Sequence, residues 1–148
     1  MKVVRVNHTG VTVSDIERTS AFFRDVLGFT VTEPVQHSGD YVSRLHGVFN
    51  ATVKIAFCSG GGHTIELIQY VNPEPRSAIA RRHNEPGFMH VALLVEDIDV
   101  AARALTTAGF ELFSEPQVVL AGPRKGGKNV YARDATGLIL ELQQAPPS

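Results

Sequence analysis

"HTGVTVSDI" at residues 8–16 returns as "HVALLVEDI" at residues 90–98. At this offset of 82, His8 and His90, Val13 and Val95, Asp15 and Asp97, and Ile16 and Ile98 agree in type. Farther on, "DVLGF" (25–29) pairs with "TTAGF" (106–110) after one deletion. Each copy closes on a stretch carrying glutamate, "HTIELIQY" (63–70) and "GLILELQQ" (137–144). Two copies of about 70 residues point to a duplicated module rather than a solenoid, which stacks three or more short repeats.

Each copy reads as a strand, a helix and then several strands. Strands are expected at 6–13, 29–35, 41–46, 52–58 and 63–70, and in the second copy at 88–95, 110–114, 128–133 and 137–143. Ser14 with Glu17 three residues later makes a capping box for the first helix. Ile16, Phe22, Phe23, Val26 and Leu27 supply its apolar stripe. Gly28 stops it, and Gly109 stops the helix that begins near Asp97. "GGGH" (60–63) is a hairpin turn. The fold class is therefore α+β, with module 1 at about 4–71, a linker at 72–86 and module 2 at about 87–144. A short helix is expected in the linker from Arg76 to about Arg82, between its prolines.

Strand periodicity sorts the chemistry-bearing residues. His8, Gly10 and Thr12 share one face, with Val11 and Val13 on the other. His90, Ala92 and Leu94 share one face, with Met89, Val91, Leu93 and Val95 on the other. Glu66 stands opposite Ile65 and Leu67, and Glu141 opposite Leu138, Leu140 and Leu142. A single strand histidine is most often a hydrogen-bonded structural residue, and a single strand glutamate a solvated one. Four at repeat-equivalent positions, each backed by an apolar face, form a pattern. Two imidazoles and two carboxylates suit a divalent transition metal: Zn, Ni, Co, Mn or Fe(II). The predicted ligands are His8, Glu66, His90 and Glu141.

Composition narrows the function classes. A formal net charge of −1 over 148 residues gives no bulk attraction to nucleic acid or membrane. No run reaches the ~18 apolar residues of a membrane span. The start has no signal-peptide core. One cysteine, Cys58, excludes an internal disulfide and fits a reducing cytoplasm, the expected location. Cys58 itself reads as a small buried hydrophobe.

These motifs resemble the vicinal oxygen chelate superfamily, which holds glyoxalase I, methylmalonyl-CoA epimerase, extradiol dioxygenases and the fosfomycin and bleomycin resistance proteins. The resemblance spans roughly residues 4–144 and rests on "NHTGVTVSDIERTSAFFRDVLGF", "HTIELIQY", "GFMHVALLVEDIDVAARALTTAGF" and "YARDATGLILEL". It implies two tandem βαβββ modules forming a cup-shaped, mostly antiparallel sheet with helices outside. It also implies the same four ligands and a homodimer. The His, Glu, His, Glu set is that of glyoxalase I, whereas epimerases usually have Gln where Glu66 stands. The second half, "RRHNEPGFMHVALLVEDID" with "AGFELFSEP", is closer to the epimerases. An epimerase-type acid on an inner strand has no counterpart near "ATVKIAF".

The implied reaction is metal-dependent proton abstraction next to a carbonyl of a small substrate with vicinal oxygens, giving an isomerase, epimerase or glyoxalase-like lyase. Glu141 or Glu66 would be the base. The alternatives are an Fe(II) ring-cleaving dioxygenase using His8, His90 and Glu141, and a metal-free drug-binding resistance protein. For the dioxygenase, His37, His46, Tyr41 and Tyr131 are supporting candidates by type alone. Thr12, on the His8 face, is a candidate substrate contact. So are Arg124 and Lys125 in the Gly-rich loop "AGPRKGGKN" (121–129), where the plainer reading is a solvated loop. "HSGDYVSRLHG" (37–47) is a candidate second lid.

Overall fold

The computed structural model describes residues 3–74 and 84–147. The chain divides into two compact units, Met1–Ala78 and Ile79–Ser148, each carrying one copy of the repeat. The expected helix between Arg76 and Arg82 lies outside the described residues.

In the first unit the order is β1 (Thr9–Thr12), α1 (Ile16–Asp25), β2 (Thr30–Val31), β3 (Val35–Ser38), α2 (Asp40–His46), β4 (Thr52–Gly60) and β5 (His63–Asn72). Its sheet runs β1-β5-β4-β2, and β3 pairs with β4 beyond β2, so β2 and β3 act as one interrupted edge strand. Only β1 and β5 are parallel; the other pairings are antiparallel. The second unit repeats this with β6 (Val91–Val95), α3 (Ile98–Thr107), β7 (Glu111–Leu112), β8 (Gln117–Val118), β9 (Lys128–Arg133) and β10 (Ile139–Gln144). Its sheet runs β6-β10-β9-β7, with β8 also on β9. Each unit is thus the βαβββ module expected, with its third-to-last strand broken in two.

The face of β4 and β5 that meets α1 is apolar. Ala56 pairs with Leu67 and Cys58 with Ile65, and all four are buried together with Ile16, Phe22 and Phe23. Val26, assigned to the same stripe, is 42% exposed because it already lies past the last helical turn. Module 2 packs alike, with Ala132, Leu140 and Leu142 buried, as are Ile98, Ala102 and Leu105 of α3. Fully burying one such leucine or phenylalanine contributes about 1.5–3 kcal/mol, so these faces supply most of each module's stability.

Both helices stop where glycine takes the left-handed conformation, Gly28 at φ 69° and Gly109 at φ 89°. The start of α1 differs from expectation. Asp15, not Ser14, is the N-cap, and its carboxylate accepts from Arg18 N at 3.0 Å. Asp97 caps α3 in the same way, accepting from Asp99 N and Val100 N. The carboxylate satisfies free amides and also favours the positive end of the helix dipole, which a hydroxyl does less well.

The larger correction concerns 41–46, expected as a strand and found as α2. The segment begins with Asp40 in its first turn and ends at Gly47, φ 65°. Val42 is its one buried apolar side chain, packed with Ala51 and Val53 against Val48, Ile55, Ile68 and Tyr70. A single buried residue in seven gives neither helical nor strand periodicity. Two further boundaries move: β1 and β6 begin one residue after His8 and His90, so the histidines precede the strands. Met89, placed on the packed face, is 69% exposed for the same reason.

Candidate active site

The face of the first sheet that turns away from α1 changes character along its length. Val53 opposite Tyr70 and Ile55 opposite Ile68 are covered by α2. Phe57 then stands opposite Glu66, and Ser59 opposite Thr64. On the other side of Glu66 lies Gly10. His8, two residues before Gly10, falls on this face although it precedes the strand, and its Nε2 reaches Glu66 Oε2 at 3.2 Å. The Phe57 ring stands edge-on to His8, centroids 6.2 Å apart.

The second module holds the equivalent pair, His90 Nε2 to Glu141 Oε2 at 3.1 Å. Ala92 takes the place of Gly10, and Tyr131 that of Phe57. The Tyr131 ring is edge-on to His90 at 5.2 Å. Gly10 is not required for space: an added Cβ would sit 3.5 Å from Glu66 Oε2, an ordinary contact.

The surroundings of the two glutamates differ. Glu141 is buried, and its Oε1 accepts from Asn129 Nδ2 at 3.0 Å. Asn129 Oδ1 in turn accepts from Arg124 Nη2. Burial, then the hydrogen bond to Glu141 and the charge of Glu141, raise the Tyr131 phenol above its ordinary pKa, with Arg124 opposing. Tyr131 therefore stays protonated at neutral pH and donates to Glu141. Glu66 is more open, its side chain 18% exposed against 7% for Glu141, and His8 is its polar contact among the described residues. Glu141 is pinned from several sides; Glu66 is held from one.

The imidazole of His8 is also oriented. Its Nδ1 lies 2.9 Å from Asn7 Oδ1. An oxygen acceptor there favours the tautomer protonated on Nδ1, which leaves the lone pair on Nε2, the nitrogen that faces Glu66. A neutral Nε2 would then face a carboxylate oxygen, lone pair to lone pair, which a cation relieves. Two donors each about 2.0–2.2 Å from one ion, set near a right angle, stand about 3 Å apart. Both His–Glu spacings meet that requirement, so the donors present fit a divalent metal. Within either module the described residues gather two such side chains and no group of three or more.

The remaining candidates scatter. Thr12 is exposed on the His8 face, level with Ile68. Arg124 is bound to Asn129 and so reaches Glu141 at one remove, while Lys125 is exposed in a turn where its amide bonds Gly122 O. The 121–129 loop is not loose, since Val119 N bonds Gly127 O at 2.8 Å and Gly126 N bonds Val119 O at 2.9 Å. Of the candidate supporting residues, Tyr131 touches the second pair. His46 bonds Tyr70 at 2.9 Å instead, and Tyr41 and His37 are exposed. Asn7 and Asn129 were missed by reading the sequence. Asn129 lies opposite Gln143, one step along the ladder from Glu141 on its face, a placement visible only once the strands are in register.

Comparisons with known proteins show the family and the fold. Residues 7–131 match the profile of the glyoxalase/bleomycin resistance protein/dioxygenase superfamily. A 2-epi-5-epi-valiolone epimerase from Actinomyces sp is 32% identical over 150 residues, covering 97% of this chain and 80% of the relative. The mitochondrial methylmalonyl-CoA epimerase of Bos taurus is 30% identical over 145 residues, covering 95% and 74%. Among solved structures, a glyoxalase family protein from Bacillus cereus shares the fold with a TM-score of 0.83 at 24% identity, covering 99% of this chain and 97% of its own.

Proposed function

The chain belongs to the glyoxalase/bleomycin resistance protein/dioxygenase superfamily, and from that premise we propose that it is a metal-dependent epimerase-type isomerase. Its substrate is a small molecule with two neighbouring oxygens, one of them a carbonyl. The observation that carries the reading is the duplicated pair, His8 with Glu66 and His90 with Glu141, each with donor atoms about one ligand spacing apart. The epimerase relatives support the isomerase outcome over a lyase.

His8 with Glu66 and His90 with Glu141 are proposed as ligands for a divalent metal. When bound, that ion polarises the substrate carbonyl and acidifies the neighbouring C–H. The rest falls to the protein. Asn7 keeps the His8 ring in the tautomer that presents Nε2. Asn129 and Tyr131 donate to Glu141 and fix its carboxylate. Glu66, with fewer constraints, is the carboxylate free to leave its place and take the proton from carbon at Oε. Return of a proton from water to the opposite face of that carbon completes an epimerisation.

The test is solvent exchange. The protein reconstituted in turn with Zn, Ni, Co, Mn and Fe(II) is incubated in D₂O with 2-substituted malonyl thioesters and cyclic 2-hydroxyketones, and deuterium at the acidic carbon is followed by NMR. Glu66→Gln is expected to keep its metal and to slow exchange by about 10²–10⁴-fold. Exchange at the unaltered rate would exclude Glu66 as the base. No exchange with any metal would remove the epimerase reading.

A further inference from the structure

Beyond the His–Glu pair, the first module has a cleft of about 690 Å³ at the open end of the same sheet face. Residues 5–8 form one wall, and the ends of β4 and β5 around the Gly61–Gly62 turn form the other. Its lining includes Arg5, His8, Ser59, His63 and Thr64, and none of its lining residues is acidic. The Arg5 guanidinium has no carboxylate partner among the described residues, whereas Lys54 and Lys128 are paired with Glu17 and Asp99.

The two hydroxyls there are set by each other. Ser59 Oγ lies 3.0 Å from Thr64 Oγ1, and His63 is anchored from outside the lining by Thr9, whose Oγ1 lies 2.9 Å from its Nε2. The duplication supplies an internal control. In the second module Thr9 is replaced by Val91, and His63, two residues before the strand partner of Thr9, by Leu138, which is buried. Thr64 is replaced by Ile139. The βαβββ fold therefore forms without these three polar groups.

A cation fork, an imidazole and paired hydroxyls in a cleft with no acidic lining residue recognise an oxyanion. We propose that this cleft is an anion subsite, holding a phosphate or carboxylate group of the substrate while His8, on its wall, borders the reacting carbon. The inference rests on the proposed function for the word substrate and extends it: the substrate carries an acidic group remote from its vicinal oxygens.

The test uses chelator-treated, isotope-labelled protein titrated separately with inorganic phosphate and with malonate, following backbone amides by NMR. Saturable shifts confined to Arg5, Asn7, His8, Ser59, His63 and Thr64 are expected. Arg5→Gln should weaken binding by about tenfold or more, and Arg18→Gln, a surface change on α1, should leave it unaltered. His63→Gln provides an independent weakening variant, and the dispersion of each spectrum reports folding. Response to phosphate alone assigns a phosphorylated substrate, to malonate alone a carboxylic acid, and to both a site selective for charge. Absence of saturable shifts with either probe, or equal affinity in Arg5→Gln, overturns the proposal. The probes do not react and no metal is present, so failure of deuterium exchange would sink the epimerase reading without touching this result.

Discussion

Gln69 Oε1 accepts a hydrogen bond from the backbone N–H of Ile16 at 2.9 Å, tying the first turn of α1 to the strand that carries Glu66. Gln144 does the same for Ile98 at 2.8 Å, three residues beyond Glu141. The first amides of a helix have no partner within it, so each carboxamide satisfies a group that would otherwise be orphaned. Gln69→Leu or Gln144→Leu should cost about 1–3 kcal/mol, because a part-buried N–H is left unpaired. Urea unfolding followed by circular dichroism measures this, and a loss below a few tenths of a kcal/mol would mean that water replaces the carboxamide.

Helix capping separates the two neighbouring candidates. Asp15→Ala and Asp97→Ala should each destabilise the protein by about 0.5–2 kcal/mol, with Asp97 the costlier because it accepts two amides. Ser14→Ala should be close to neutral. The same unfolding measurement decides it, and a Ser14 effect larger than that of Asp15 would restore the capping box.

Ligand orientation predicts metal affinity. Asn7→Ala frees Nδ1 of His8, and Asn129→Ala releases both Glu141 and Arg124. Each should weaken divalent-metal binding by about 10–100-fold, read by calorimetric titration of the metal-free protein. His8→Ala and His90→Ala should reduce retained metal to background by elemental analysis. Unchanged affinity in both asparagine variants would show that neither residue orients a ligand.

Close packing can be tested at Gly60. A Cβ there would come within 2.6 Å of the Phe29 ring, whereas one at Gly10 meets nothing nearer than 3.5 Å. Gly60→Ala should therefore destabilise by about 1–3 kcal/mol and Gly10→Ala much less. Parallel thermal unfolding of the two variants tests the contrast, which fails if their melting temperatures coincide.

Cys58 gives a pH signature. Burial pushes its thiol up from 9.0 to about 11, so the folded state disfavours the thiolate that the unfolded chain forms. Its contribution to stability is fully present below pH 9 and is lost as pH rises toward 11. Cys58→Ala should flatten that part of the stability–pH curve. In the native protein a thiol reagent such as DTNB should react at pH 8 only as fast as the protein opens. Immediate reaction would contradict the burial.

Much of this was legible from the chain. The offset of 82 located both modules, both helices and both histidines, and strand alternation separated the metal-type side chains from the core. Extending the comparison past Glu66 and Glu141 would also have found Gln69 and Gln144, which keep the same offset of 75. α2 escaped because one buried valine in seven residues carries no period. Asn7 and Asn129 escaped because their type is common and their role lies in what stands beside them.

The sequence by itself determined the duplication, the βαβββ pattern and the identity of the four candidate ligands, since a repeat and a two-residue period are properties of order along the chain. Tertiary structure alone decided three things. It set the Nε2 to Oε2 approach within each pair, the unequal restraint on Glu66 and Glu141, and the cleft beside His8 with no acidic lining residue. Each depends on strands distant in sequence being laid side by side in one register, where a shift of a single residue would turn every side chain to the other face.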